Sequence, residues 1–453
     1  MKNVRYLKNF MKYSSLNVLG MLGLSCYILA DTFFVARGLG ADGLAALNLA
    51  IPVYSFVHGT GLMLGMGGAT WYSIFRGSAY DGEDKKIECN AVFSHTMFLV
   101  LLVAVVFCHL GMFWSEVLTR LLGADGPVFE MSCIYLKIIL LFAPFFLVND
   151  VLLCFVRNDG APGLAMAAML AGSFSNIILD YVFIFPLDMG IFGAVFATGL
   201  APVISMLVLS SFFIRRRNHF HFLLSNQDYY IWRTICSLGF SSLVTEVSSG
   251  LVIILFNRIT LGLQGNLGVA AYGVTANLSL VILSVYNGIA QGIQPLLSRY
   301  YGLGEKEGVR AVFRYAVKTA ALLSVVLYAF IFIRADGIVS VFNGEGNQKL
   351  QEIAVYGMRI YFTACLFAAM NLIFSVYYSS IKCAKTAGLI SILRGFVVIM
   401  PMTFLLSFMW GMTGLWLAFP VTEMVVMAVA LWMYRRNSRI NISCPSGYHK
   451  SQR

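Results

Sequence analysis

Charge is the scarcest property of this sequence. Asp, Glu, Lys and Arg make up 12% of its 453 residues, against roughly 25% in soluble domains. A water-soluble fold of this length has no way to cover its surface with so few charges. Enzyme signatures are also missing. None of the six histidines opens a His-Glu-x-x-His motif, and neither Gly-x-Ser-x-Gly nor Gly-x-x-x-x-Gly-Lys occurs. Without the last of these, any transport must run on an ion gradient or downhill. The nine cysteines form no Cys-x-x-Cys pair and no histidine stands at ligand spacing. Cys26, Cys108, Cys133, Cys154, Cys236 and Cys365 sit in apolar runs and read as reduced, small apolar residues. No cofactor or resident metal is expected beyond a coupling ion. The net charge of +11 would suit nucleic acid, but no Lys/Arg stripe is interleaved with aromatics, so that partner is excluded.

Apolar sequence is abundant. Hydrophobic residues reach 59%, and 41 glycines allow close helix packing. A membrane span needs about 20 mostly apolar residues. That template places helices near 14–37, 44–75, 90–113, 129–155, 164–185, 191–214, 234–260, 269–298, 311–333, 354–378, 389–409 and 415–434. The expected fold class is an all-α polytopic membrane protein with twelve transmembrane helices. No A-x-A cleavage site precedes the next span, so the first helix is expected to be retained.

Lys and Arg set the expected orientation. About 23 of the 32 fall in alternate segments that include Lys2, Arg5, Lys8 and Lys12, Arg215 to Arg217, and Arg435, Arg436 and Arg439. The opposite loops hold about three: Arg120, Arg334 and Lys349. Both termini should therefore face the cytoplasm.

The chain also repeats itself. Gly43-Leu44-Ala45-Ala46 recurs 225 positions later as Gly268-Val269-Ala270-Ala271, and Ser73 and Gly77 match Ser298 and Gly302. Gly190-x-x-Gly193 recurs as Gly411-x-x-Gly414 at an offset of 221. Six spans per half make the repeat parallel, about an axis along the membrane normal. The expected lobes are 1–222 and 223–453, with a basic linker near 215–231 and a cytoplasmic tail near 435–453.

Ionisable residues inside spans are costly and mark function by default. Counted at 1.5 Å per residue, Asp31 lies roughly 25 Å from Ser14, and Asp180 roughly 24 Å from Leu164, on helices running the same way. Asn176 is one turn before Asp180 on the same face, and Thr198 enters from the opposite side at roughly 10 Å depth. These four are the candidate cation-coupling cluster. Carboxylates there can carry a proton, or hold Na⁺ with neutral oxygens. In the other half, Glu246 and Glu423 lie near the midplane, with Arg394 or Lys318 as candidate partners. The alternative is a structural ion pair. Asn257, Asn287, Gln291 and Gln294 add polar surface that suits either a ligand or interhelical hydrogen bonds. Asp150 and Arg157 read as solvated or salt-bridged groups near a helix end, and His58 as a packing histidine. The many Met and Phe residues read mostly as lipid-facing or core.

These motifs resemble the MATE (multidrug and toxic compound extrusion) family, most closely its bacterial MepA-like branch. Ala30-Asp31-Thr32-Phe33-Phe34-Val35 and Gly40-Ala41-Asp42-Gly43-Leu44-Ala45-Ala46 look like the family's opening. Arg157-Asn158-Asp159-Gly160-Ala161-Pro162, Asn176-Ile177-Ile178-Leu179-Asp180 and Ala197-Thr198 look like its fourth to sixth helices. Thr245-Glu246-Val247-Ser248-Ser249-Gly250 and Asn287-Gly288-Ile289-Ala290-Gln291-Gly292-Ile293-Gln294-Pro295 look like its seventh and eighth. The resemblance implies two six-helix lobes around a central cleft. It implies a monomer in the bacterial inner membrane that exports organic, often cationic, compounds in exchange for H⁺ or Na⁺. It assigns Asp31, Asn176, Asp180 and Thr198 to the amino-lobe cation site. One departure stands: where the family has a carboxyl-lobe sodium site, its glutamate falls about one turn later, near Ser249. The rivals are a lipid-linked oligosaccharide flippase of the same superfamily, which would carry a more cationic cavity, and a membrane-embedded enzyme or passive channel.

Overall fold

The structure is a computed structural model that describes residues 2–78, 83–223, 228–343 and 346–439. Part of the expected linker, 224–227, and most of the expected tail, 440–453, lie outside the described residues. Among the described residues every regular element is a helix, as it must be where no water is at hand to satisfy backbone groups. In chain order they are α1 (Lys2–Gly77), α2 (Glu83–Phe113), α3 (Ser115–Leu121), α4 (Gly126–Leu141), α5 (Ala143–Asn158), α6 (Pro162–Ile184), α7 (Gly190–Ile214), α8 (Tyr229–Gly302), α9 (Lys306–Phe342), α10 (Gln348–Tyr361), α11 (Cys365–Ser380), α12 (Ala384–Ile392) and α13 (Ile399–Arg439).

Three of these are too long to be single spans. Each is broken by a glycine: Gly40 in α1 (φ 68°, ψ −157°), Gly265 in α8 (φ 62°, ψ −156°) and Gly411 in α13 (φ 56°, ψ −131°). A side chain is strongly disfavoured at such angles. Gly40 and Gly265 are 225 positions apart, the offset of the repeat. Gly411 answers Gly190, which opens α7 at φ 58°. Divided at these breaks, the helices fit twelve crossings, which bring both ends of the described chain to one face, here the terminal face.

Four details differ from the expected spans. The first helix begins at Lys2 rather than near 14, so the basic residues Lys2, Arg5, Lys8 and Lys12 are helical. The fourth span is two helices, α4 and α5, bent by 48°; Pro144, in the first turn of α5, explains the bend. The tenth is interrupted by a 3₁₀ turn at Phe362–Ala364. The eleventh is interrupted by a π-helical turn at Leu393–Val397.

Two buried apolar clusters organise the packing. One draws on residues from Val35 to Leu238, the other on Phe256 to Ala430. Each also takes a helix end across the divide. Tyr6 and Phe10 of α1 join the second cluster, and Ile231, Ile235 and Leu238 of α8 join the first.

The crossings between α1 and α8 need glycine. A Cβ on Gly239 would overlap the Met63 carbonyl, and one on Gly67 would overlap that of Ile235. Gly288 and Gly292 pack on the backbone of Val18 and Ser14. Gly77 lies on Arg299 and Gly302 on Ile74, a reciprocal contact at repeat-equivalent positions. These seams all lie toward the terminal face.

Candidate functional site

The structure brings the first-half cluster together. Asp31 projects from α1, Asn176 and Asp180 from α6, and Thr198 from α7, and all four are buried. With its amide nitrogen turned to Asp180, Asn176 donates to Oδ2 at 3.1 Å, and its oxygen accepts from the Thr198 backbone N–H at 3.2 Å. Asp31 is close enough to Asp180 for the two carboxylates to act on each other. Tyr135 of α4 borders Thr198. Oδ1 of Asp31 and Oδ1 of Asp180 are buried without a hydrogen-bond partner among the described residues. Two buried, partnerless carboxylate oxygens are costly unless a proton or cation joins them.

In the second half, Arg394 and Lys318 were the candidate partners of Glu246 and Glu423. Arg394 Nε donates to Glu423 Oε1 at 2.5 Å, the structural pair that was the alternative reading, while Lys318 lies on the exposed side of α9. The reason is local. Asn371 of α11 donates to both the Glu423 carbonyl at 2.9 Å and Oε2 at 2.7 Å. The carboxylate is thereby held facing the π-helical turn that carries Arg394. Glu246 lies elsewhere, with its Cβ packed on Gly59 of α1.

The amide residues of α8 divide by depth. Asn287 faces the central cavity. Gln291 accepts from Arg157 at 3.3 Å. Gln294 is fully buried, accepting from Asn158 at 2.9 Å and donating to Thr70 at 2.8 Å.

Three residues read from sequence as peripheral turn out to be central. His58 Nδ1 is 3.0 Å from Asp150 Oδ2, and its ring stacks on Tyr54, whose hydroxyl meets that of Tyr27 at 2.8 Å. Of the two expected roles, solvated or salt-bridged, Asp150 takes the second, and it does so in the interior. Arg157 is 3% exposed, and the partners of its guanidinium are neutral: Asn17 Oδ1 at 2.6 Å, Gln291 Oε1, Met66 Sδ at 3.4 Å and Cys154 Sγ at 3.5 Å. The one sequence signal was the spacing of Asp150 and Arg157, seven residues apart and so on one helix face. Their partners come from distant helices and carry no local mark.

Between the two apolar clusters lies a cavity of about 1830 Å³ including its mouth. Asp31, His58, Glu246, Asn287, Arg394 and Glu423 all reach its wall, with Tyr27, Tyr54, Tyr272 and Tyr361. A recess of about 750 Å³ continues toward Asp150, Arg157 and Gln291. The lining suits an apolar or aromatic compound with positive charge.

Comparison with known proteins places these features in a family. The MatE family profile matches residues 18–182 and 240–405, one segment in each half. The chain is 24% identical to the multidrug export protein MepA of Staphylococcus saprophyticus, over 96% of this chain and 95% of that protein. It is likewise 24% identical to MepA of Staphylococcus aureus over the same shares. A solved multidrug resistance MATE family transporter in its outward-facing conformation superposes with a TM-score of 0.89. It covers 97% of this chain and 99% of that one, at 24% identity.

Proposed function

The chain is a multi-pass membrane protein of the MatE family, and from that premise we propose that it is an ion-coupled exporter of organic, often cationic, compounds. Family membership makes it a transporter rather than an enzyme. The curated relatives are multidrug export proteins, and this cavity has the chemistry for the same class of substrate. It works by alternating access, as a monomer of two lobes, 1–222 and 223–453, in a bacterial inner membrane with both termini cytoplasmic. The Lys/Arg bias supports that orientation, and the glycine seams toward the terminal face support an outward-open state.

The observation that carries the reading is the pair of partnerless carboxylate oxygens on Asp31 and Asp180, with Asp31 itself on the wall of a cavity built by both halves. There H⁺ or Na⁺ binds in exchange for substrate. The Asn176 bridge orients Asp180, and Thr198 supplies a further oxygen. In the second half, Glu246 and Asn287 face the substrate, while Gln291 and Gln294 hold helices together. Arg394 and Glu423 brace the cavity wall.

The test is transport of a cationic dye by the purified chain in proteoliposomes under separately imposed proton and sodium gradients. Dye movement against its gradient under either ion is expected. No movement under both overturns the reading.

A further inference from the structure

Every group of the first-half cation cluster lies on α1, α6 or α7. A different titratable group occupies the meeting point of the two halves. His58 of α1 is 3.0 Å from Asp150 of α5, and the two side chains are 16% and 6% exposed. Glu246 of α8 stands on the other side of the seam, its Cβ packed on Gly59, the residue after His58. The glycines at 59 and 61 make the approach feasible: a Cβ at Gly61 would overlap the Asp150 carboxylate.

We propose that His58, Asp150 and Glu246 form a second coupling site, one that binds a proton across the seam between the halves, distinct from the Asp31–Asp180 pair. This rests on the export reading and deepens it. A proton, rather than Na⁺, is the ligand because the central group is an imidazole, and hard alkali cations prefer oxygen donors.

The other groups facing His58 leave its charge to these two acids. Tyr27 and Tyr54 come from α1 itself, and Tyr135 from α4. The Cys154 thiol and Arg157 lie one and two turns along α5, and Arg157 is engaged by Asn17, Gln291 and the Cys154 sulfur. From α6 and α7 the recess receives Met169, Ser173, Thr198 and Ser205, none of which titrates in the working range. Protonated, His58 places one positive charge between a carboxylate of the first half and one of the second, and so holds the seam shut. Deprotonated, it leaves two acids confronting each other with no cation between them. The closed terminal side is then weakened, and Glu246, on the cavity wall, is left for a cationic substrate. Proton and substrate thus compete for one carboxylate, and only the protonated site favours this conformation.

The test counts protons. The full-length protein in weakly buffered detergent is titrated with ethidium while a pH dye reports the protons released per ethidium bound. The native protein is expected to release more than His58→Gln, and Asp31→Asn to lose a separate share. His58→Gln should also cut pH-driven efflux about tenfold and flatten its pH profile, while still binding ethidium at high pH. Asp150→Asn, close to isosteric, provides a second variant and should show the same flattening. Proton release and a pH profile unchanged in His58→Gln overturn the second site, even where Asp31→Asn remains inactive. Failure of the native protein to move dye under any gradient overturns the export reading itself.

Discussion

Gly239 meets the Met63 carbonyl backbone to backbone, with no room for even a methyl group between them. The contact joins α8 of the second half to α1 of the first, and it has a counterpart in Gly288 against Val18. Close approach of this kind is how small residues hold membrane helices together when lipid removes the hydrophobic drive. Gly239→Ala should therefore cost about 1–3 kcal/mol through overpacking, and reduce transport by holding the terminal side apart. Gly262 on the same α8 offers the contrast, since nothing lies within 4 Å of an added Cβ. Gly262→Ala should be neutral or stabilise by about 0.5–1 kcal/mol. Thermal melting in detergent and dye efflux, measured on both variants, check the pair.

Asp31→Asn should abolish ion-coupled efflux and leave the protein in the membrane at native levels. The amide keeps the shape and removes the charge that a proton or cation must balance. Dye efflux from cells, with a membrane immunoblot, reads both outcomes. Asn176→Leu acts through orientation instead. It strips Asp180 Oδ2 and the Thr198 N–H of their shared partner, and should cost about 1–3 kcal/mol. Full efflux by Asp31→Asn would remove the first-half site.

Much of the architecture was legible because the bilayer imposes it. Length and hydropathy placed the spans, and the offset of 225 that links Gly43 to Gly268 also links the two breaks at Gly40 and Gly265. Depth counting brought Asp31 and Asp180 to one level, and in the structure both are buried and close enough to act on each other. The pairings beyond that were not legible. Arg394 was a known candidate, yet its choice of Glu423 over Glu246 depends on Asn371 and on a π-helical turn, which no hydropathy pattern announces. His58 looked like a packing residue because Asp150 lies 92 positions away in sequence. The acids of a helical bundle can be counted from the chain, but their partners are set by helix rotation, which the chain encodes only through packing.

Arg157 offers a test of that packing. Its guanidinium spans Asn17 of α1 and Gln291 of α8, while Asn17 donates to the Gly288 carbonyl at 3.0 Å. The planar fork matters, because Nη1 serves the oxygens of both Asn17 and Gln291 while Nη2 reaches the sulfurs of Met66 and Cys154. Arg157→Lys should therefore destabilise nearly as much as Arg157→Met, by about 1–3 kcal/mol for the groups left unpaired. Near-native melting of Arg157→Lys would show that charge alone suffices.

Glu423 and Arg394 separate bracing from ion handling. The pair is closed by hydrogen bonds: the Arg394 guanidinium at 2.5 Å and the Asn371 amide at 2.7 Å. Removing one member of a buried pair leaves an uncompensated charge and costs about 3–5 kcal/mol. Arg394→Gln alone should therefore melt far below the native protein. Replacing both, as Arg394→Gln with Glu423→Gln, leaves neutral groups that bond each other and Asn371. The double variant should recover most of the loss, with a coupling of about 0.5–3 kcal/mol in the double-mutant cycle. Efflux per folded molecule should survive in it, because the brace carries no ion. If Glu423→Gln instead folds like the native protein and loses efflux, Glu423 belongs to the coupling machinery and the brace assignment fails.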